Sequence, residues 1–292
     1  MRASIAIRVA SLALLAATTA IAAPATAVPV GYELVWADEF DGAALDPTKW
    51  GEHQPGPRRS AFNVEEAAYL DGVGHLVIDT WTDGGTHYTG MIDTRDRFEP
   101  TYGWFEARIA FVDMAPGMWS AFWLESPRIG SVIGDPGTSG VEIDVQEHRL
   151  ECGPGCDLHD LWQGSLYWDG YGEEMKRMSW GRPIPGLGDG FHVYALEWTP
   201  TSYRFWVDGV LRWEPVNPPI SHTGEFIVLS SEVETTPGFA GIIPEEGYGT
   251  RDGVVPRMVV DWVRVHQVVP EPATALLLAA GLAGLAGRNR TV

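Results

Sequence analysis

Short runs in which apolar and polar residues alternate recur along the chain between residues 75 and 267. This period of two is typical of β-strands, and the Gly, Pro, Asp and Asn residues between the runs favour turns. One such turn is predicted at 207–209, where Asp-Gly lies between two runs. The sequence between 28 and 268 contains no long amphipathic helix, repeat or low-complexity linker, so it predicts one all-β domain, a sandwich or a barrel. The runs are 75–81, 103–112, 118–126, 141–148, 191–199, 203–213, 225–233 and 257–267.

The run at 141–148, VEIDVQEH, combines an apolar strand with three acidic residues. Alternation places Glu142 and Asp144 on one face, but it would turn Glu147 toward the core, where an unpaired charge is costly. A β-bulge at Val145–Gln146, in which two residues occupy one pleat, would return Glu147 to the face of the other two acids. The out-of-step residue therefore predicts a bulge.

Three carboxylates on one strand face repel one another, so structure alone would not favour the arrangement. Closely spaced carboxyl groups are needed, however, to cleave a glycosidic bond with retention of the anomeric configuration. One carboxylate is then the nucleophile and one carboxyl is the acid, about 5–5.5 Å apart. Two pleats of one strand can supply that separation, and an acid between them can keep their protonation states distinct. The alternatives are a solvated acidic face, or a calcium or zinc cluster that includes His148.

EIDVQE, at 142–147, resembles the bulged Glu-x-Asp-x-x-Glu signature of glycoside hydrolase family 16. The resemblance implies a concanavalin-like jelly-roll sandwich of two curved antiparallel sheets with a concave substrate groove. It implies that Glu142 is the nucleophile, Asp144 the residue that holds and tunes it, and Glu147 the acid/base, with no cofactor required for catalysis. Similar segments follow in the family's order at 36–50, 102–109, 117–124, 192–209 and 259–267.

Two tryptophans are candidates for the floor of that groove. Trp119 and Trp123 share a strand face with the small Ala121 between them, which suits stacking against sugar rings. The alternative is a pair of half-buried sandwich aromatics. By resemblance, four polar residues are further substrate-binding candidates, although two of them, at 106 and 108, could instead form a surface ion pair. The four are Asn63, Glu106, Arg108 and Glu232.

The two cysteines and an aspartate near the end of the domain are candidates for a disulfide or a metal site. Cys152 and Cys156 are the only cysteines, and in an exported protein such a pair favours a disulfide. A metal pair completed by His148 or His159 is the alternative. Asp261 is a candidate ligand of a structural calcium ion, as the resemblance implies, or a plain surface residue.

Both ends of the chain read as targeting segments. Residues 1–27 combine a basic start, an apolar run at 9–23 and a small-x-small cleavage site, which predicts a secretory signal peptide. Residues 269–292 begin with Pro-Glu-Pro, continue with 14 apolar residues and end with arginines. That run is shorter than the roughly 20 residues of a spanning helix. It resembles the bacterial PEP-CTERM sorting signal, which implies transient membrane engagement and processing by export and sorting machinery. A mildly hydrophobic, poorly ordered C-terminus is the alternative.

The net charge of the chain restricts the classes of partner that it can bind. The formal net charge of −19 becomes −22 without the two ends, which hold four arginines and one glutamate. This excess of acid argues against nucleic acid and anionic membrane surfaces, and it favours a neutral polysaccharide over a sulfated one. We expect a monomeric retaining endo-glycosidase, extracellular or on the bacterial surface or outer envelope, acting on β-1,3- or β-1,3/1,4-glucan. The alternatives are an agarase- or carrageenase-like galactan hydrolase, a transglycosylase, and a lectin-like binding module.

Overall fold

The structure, a computed structural model, describes residues 28–235 and 238–268. The predicted signal peptide and the predicted sorting tail lie outside these ranges. Within them, no helix has the length and apolarity needed to cross a membrane. The helices among residues 28–235 and 238–268 are one short helix, α1 (Pro136–Ser139), and one 3-10 turn (Glu65–Ala67).

Strands make up the rest of the regular structure. They are β1 (Tyr32–Asp38), β2 (Gly51–Glu52), β3 (Gly56–Arg58), β4 (Ala61–Asn63), β5 (Ala68–Leu70), β6 (Leu76–Asp79), β7 (Trp81–Asp83), β8 (Thr86–Thr89), β9 (Met91–Asp93), β10 (Gly103–Val112), β11 (Met118–Glu125), β12 (Glu142–Arg149), β13 (Glu151–Gly153), β14 (Cys156–Asp157), β15 (Leu161–Trp168), β16 (Lys176–Pro183), β17 (His192–Trp198), β18 (Tyr203–Val207), β19 (Val210–Trp213), β20 (Phe226–Val233) and β21 (Arg257–Val268).

Two antiparallel sheets form the body of the domain. The first sheet has the order β19-β18-β17-β10-β21-β6-β5, and β1 also pairs with β21. The second sheet has the order β16-β15-β12-β11-β20-β9-β2. Each run predicted from alternation overlaps at least one of these strands. The predicted hairpin is also present: Asp208 and Gly209 have φ of 48° and 73° between β18 and β19, the positive values that a tight hairpin turn requires.

The main core lies between the two sheets. Phe105 and Ile109 of β10 are fully buried in one cluster with Phe122 of β11, Ile143 of β12 and Leu229 of β20. Removing each such side chain from water contributes roughly 1.5–3 kcal/mol, so the inward residues of both sheets hold them together. The alternate residues of each strand must then point away from this core. We call the side of the second sheet that faces away from the first sheet the acid face.

Two smaller sheets lie beside the two main sheets, and the sequence did not predict them. One has the order β3-β4-β8-β7 and includes a parallel pair, β4 with β8. The other is the β13–β14 hairpin, whose ends are joined by a disulfide between Cys152 and Cys156, with Cα atoms 5.4 Å apart. Strands of two to four residues carry too little alternation to be recognised in a sequence.

Glu225, just before β20, is a buried acid that predicts a measurable pH dependence of stability. Its side chain is fully buried and accepts a hydrogen bond from the Val141 backbone N–H at 3.0 Å, and burial raises its pKa to about 8. The unfolded chain releases this proton near the ordinary value of 4.5, so stability falls as pH rises from there to about 8. Glu225→Gln keeps an acceptor for Val141 and removes the titration.

We therefore expect the loss of unfolding free energy between pH 6 and pH 9 to be about 2 kcal/mol smaller in Glu225→Gln than in the wild type. Urea unfolding at the two pH values measures this difference. Glu33→Gln, at an exposed position of β1, serves as the control and should behave as the wild type. An unchanged pH dependence in the Glu225 variant would mean that its carboxyl is ionised in the folded state.

Candidate active site

The bulge predicted at Val145–Gln146 is present in β12. Along the ladder with β11, Phe122 pairs with Gln146 but Trp123 pairs with Asp144, so Val145 has no partner of its own. Val145 and Gln146 are both fully buried. The strand therefore gains one residue on its core side, and every residue after the bulge changes face.

This change of face brings the three acids together. Glu142 and Asp144 pair with Tyr167 and Ser165 of β15, on the acid face. Glu147 pairs with Ala121, which lies on the same side of β11 as Trp123, the partner of Asp144. His148 points the other way, since its ring stacks on Phe111 of the core at 4.3 Å. A metal cluster that joins His148 to the acids is therefore not formed.

Glu147 is held by two neighbours on β15. Its Oε2 accepts hydrogen bonds from Ser165 Oγ at 2.9 Å and from Gln163 Nε2 at 3.0 Å. Burial raises the pKa of Glu147, while the hydrogen bond from Ser165 and the positive charge of Arg149 act in the opposite direction. The result is a fixed carboxyl group that holds a proton more readily than a solvated glutamate.

Glu142 and Asp144 share this electrostatic environment. Burial raises the pKa of Glu142 to about 8; a hydrogen bond from Tyr171 lowers it, and the carboxylates of Glu125, Glu147 and Glu232 add to the increase. Burial, followed by the charges of Glu147 and Glu142, also raises the pKa of Asp144. The charge of each of these carboxyl groups therefore influences the protonation of the others.

The two candidate stacking residues lie on the acid face, but both are largely covered. Trp119 and Trp123 each have an exposed fraction of 6%. The ring of Trp119 lies under the Arg59 guanidinium at 5.1 Å, and Trp123 Nε1 donates to Ser230 Oγ at 3.0 Å. Their position agrees with a groove floor and their burial with packed aromatics, so sugar stacking stays a prediction.

Glu232 lies on the acid face as well, because it pairs with Trp119 across the β11–β20 ladder. Its carboxylate accepts hydrogen bonds from both Arg58 and Arg59, and it adds negative charge near all three acids. Asn63 lies on β4 of a small sheet, where its Nδ2 donates to a backbone oxygen at 3.1 Å. Substrate contact by either residue remains a prediction.

The prediction that Glu106 and Arg108 bind substrate is wrong. Both lie on β10, in the first sheet, and the inward residues of that strand face the second sheet, so these two point away from the acids. Arg108 Nη1 instead donates to Asp261 on β21, and Glu106 accepts a hydrogen bond from Trp104 Nε1 at 3.1 Å. The alternation along β10 was read correctly, but the sequence did not reveal to which sheet the strand belongs.

The candidate calcium ligand does not fit a metal site. Asp261 is ion-paired with Arg108, a cation where calcium would require further oxygen ligands. Across residues 28–235 and 238–268, no group of three or more His, Cys, Asp or Glu side chains is placed to hold a metal ion.

Four residues of the site were not identified from the sequence. Glu125 continues the acid-face series of β11, and alternation from Trp119 would have placed it there. Gln163 and Ser165 alternate along β15 and could have been found in the same way. Tyr171 lies in the loop after β15, and no periodicity predicts where a loop side chain will point.

A stacked antiparallel sandwich that carries interacting carboxyl groups along one strand defines an enzyme of the glycoside hydrolase class. The family model described as Glycosyl hydrolases family 16 matches residues 60–237, and the chain belongs to this family. The predicted all-β jelly-roll sandwich is confirmed, and the chain is a family 16 glycoside hydrolase.

Three comparisons describe its relatives. A beta-glucanase of Rhodothermus marinus is 31% identical over 259 residues, covering 82% of this chain and 86% of that one. The catalytic domain of an endo-1,3-beta-glucanase (laminarinase) of Thermotoga petrophila superposes with a TM-score of 0.61 at 24% identity, covering 82% and 99%. Porphyranase B of Zobellia galactanivorans superposes with a TM-score of 0.66 at 22% identity, covering 82% and 94%.

The resemblance of the C-terminus to a sorting signal is also confirmed. The PEP-CTERM protein-sorting motif matches residues 268–290. This motif indicates export in bacteria and sorting to the cell envelope.

Proposed function

We propose that this protein is an exported retaining endo-glycosidase that hydrolyses a β-1,3- or β-1,3/1,4-linked glucan. Glu142 is the nucleophile, Glu147 the acid/base and Asp144 the residue that tunes Glu142. The observation that carries these assignments is the unpaired Val145, because it returns Glu147 to the face that holds Glu142 and Asp144. Without that extra residue, Glu147 would point into the core.

In the first step of the proposed reaction, a Glu142 oxygen attacks the anomeric carbon and the bond to the leaving sugar breaks. Glu147 gives its proton to the leaving oxygen, which departs as a hydroxyl group. In the second step Glu147, now ionised, takes a proton from a water molecule that attacks the anomeric carbon and releases Glu142. Two inversions at one carbon leave its configuration unchanged.

The surroundings of Glu147 and Asp144 support their assigned roles. Glu147 is buried and has an elevated pKa, as a proton donor needs. Asp144 lies between them and is nine-tenths buried, with one carboxyl oxygen, Oδ2, that has no hydrogen-bond partner among the described residues. It can therefore accept a proton or a hydrogen bond when charge forms next to it.

The relatives support a glucan as substrate, since a beta-glucanase covers most of this chain at 31% identity. The likeness to a porphyranase is a likeness of fold. The test is to incubate the 28–268 domain with laminarin, lichenan, agarose and carrageenan and to follow new reducing ends, while proton NMR of the first product reads its anomeric configuration. We expect activity on laminarin or lichenan with retention. Activity on agarose or carrageenan alone would exclude the glucan, and inversion would exclude Glu142 as a nucleophile.

The targeting segments support the proposed location. We propose that residues 1–27 are removed as a signal peptide and that the tail engages the membrane before it is processed by the sorting machinery. The domain would then act outside the cell or on its surface.

A further inference from the structure

A row of polar side chains leads to the proposed nucleophile, and its last members, Glu125, Tyr171 and Glu142, are in direct contact. Asp93 Oδ2 lies 2.6 Å from His53 Nδ1, and His53 Nε2 lies 4.0 Å from Glu125 Oε2. The Tyr171 hydroxyl donates toward Glu125 Oε1 at 2.8 Å and also contacts Glu142 Oε2. Tyr171 thus joins Glu125, at the end of β11, to Glu142 at the start of β12.

The Tyr171 hydroxyl has a single hydrogen to share between Glu125 and Glu142. A phenol has one hydrogen, but the Tyr171 oxygen lies against two carboxyl groups, so the two carboxyls compete for that one hydrogen bond. Arg95 Nη2 lies 3.6 Å from Glu125 Oε2, so Glu125 also forms an ion pair. Tyr171 is directed at both carboxyls, and its hydrogen bond to Glu142 favours the ionised form of that carboxyl, while Glu125 competes for the same hydrogen.

The loop that carries Tyr171 is anchored on both sides. The fully buried Asp169 carboxylate accepts a hydrogen bond from the Gly134 backbone N–H at 2.8 Å and forms an ion pair with Lys176 at 2.7 Å. Gly130 packs so closely on Gly170 that a Cβ at position 130 would lie 2.7 Å from the Gly170 Cα. These contacts fix the hydroxyl between the two carboxyls, while 55% of the tyrosine surface stays exposed.

We propose that Tyr171 is a positioning residue for Glu142, and that its single phenolic proton couples the ionisation of Glu142 to the charge of Glu125. The inference rests on the proposed function, in which Glu142 must be anionic to attack. It assigns Glu125 a role in setting the pH at which the enzyme becomes competent. The titratable groups that interact with Glu142 from the surrounding elements are Glu125, Asp144, Glu147, Tyr167, Tyr171, Glu225 and Glu232.

Two substitutions are expected to move the acidic limb of the kcat/KM profile in opposite directions. Tyr171→Phe removes a donor that stabilises ionised Glu142, so its pKa rises and the limb moves up by about one pH unit. Glu125→Gln removes a negative charge near Glu142, so the pKa of Glu142 falls and the limb moves down by a similar amount. A role confined to loop stability would lower activity equally at all pH values.

Tyr69→Phe is the matched control, because Tyr69 also donates to a carboxylate, Asp79 Oδ2 at 2.9 Å, but in the first sheet. Its acidic limb should coincide with that of the wild type. Limbs of Tyr171→Phe and Glu125→Gln that stay in place, or move in the same direction, would overturn the proposal. If Tyr171→Phe does not fold, the acidic limb of Glu125→Gln still tests the proposal, because a limb that stays in place would contradict it.

A second measurement does not depend on turnover. Carbon-13 NMR of protein labelled at the glutamate carboxyl carbons gives the titration of Glu142, assigned by the resonance that Glu142→Gln removes. The same two opposite displacements are expected there. If they occur in a protein that cleaves no glycan, the coupling through Tyr171 stands and the proposed reaction fails. If they are absent from an active enzyme, the coupling fails and the reaction stands.

Discussion

Glu142→Gln is expected to lower kcat on the polysaccharide by about 10⁴-fold or more, because a carboxamide cannot form and release the glycosyl ester. The side chains are nearly equal in size, and the amide retains an oxygen to accept the Tyr171 hydrogen bond. The groove should therefore keep its shape, and polysaccharide binding should change little. Reducing-end release measures kcat, and calorimetric titration with oligosaccharide measures binding.

The control for this variant is Glu33→Gln, on the exposed edge of the first sheet, which should retain full activity. With a 2-deoxy-2-fluoro glycoside, the wild type should accumulate a covalent adduct on the β12 peptide, and the variant should not. Hydrolysis by Glu142→Gln within tenfold of the wild type would rule out the nucleophile assignment. Loss of both binding and activity, with a changed unfolding transition, would instead point to a structural role for Glu142.

Glu147→Ala is expected to have the second largest effect, and one that depends on the leaving group. Without the proton donor, cleavage of the polysaccharide should slow by about 10²–10⁴-fold, since a sugar hydroxyl leaves poorly unless protonated. A 2,4-dinitrophenyl glycoside has a leaving group that needs no proton, so its first step should continue nearly unchanged. The covalent intermediate should then accumulate, because no base activates water.

Azide provides the decisive readout for Glu147→Ala. The anion fits the space left by the carboxyl and needs no general base, so it should accelerate turnover and yield a glycosyl azide of retained configuration. Glu142→Ala should give the opposite, inverted azide, because azide then replaces the nucleophile. An equal loss on both leaving groups, or the same anomer from both variants, would be incompatible with the assigned roles.

Much of the fold followed from local sequence. β10 was predicted with its observed bounds, Gly103–Val112, and most other long strands within two residues of theirs, because half-buried strands alternate by position. The edge strand β16 was not predicted, since seven of its eight residues, all but Met178, are exposed and its apolar pattern is weak. Within β12 even the bulge could be predicted, because a buried charge at Glu147 was the only alternative.

The sequence by itself determined which side chains share a strand face, because alternation and the cost of burying a charge act within a few residues. It therefore specified the acid row Glu142, Asp144 and Glu147. Only the tertiary structure decided which faces meet, since sheet membership depends on contacts between distant strands. That is why Arg108 turned out to face Asp261 on the first sheet, and why Tyr171 and Glu125, 46 residues apart, meet at Glu142.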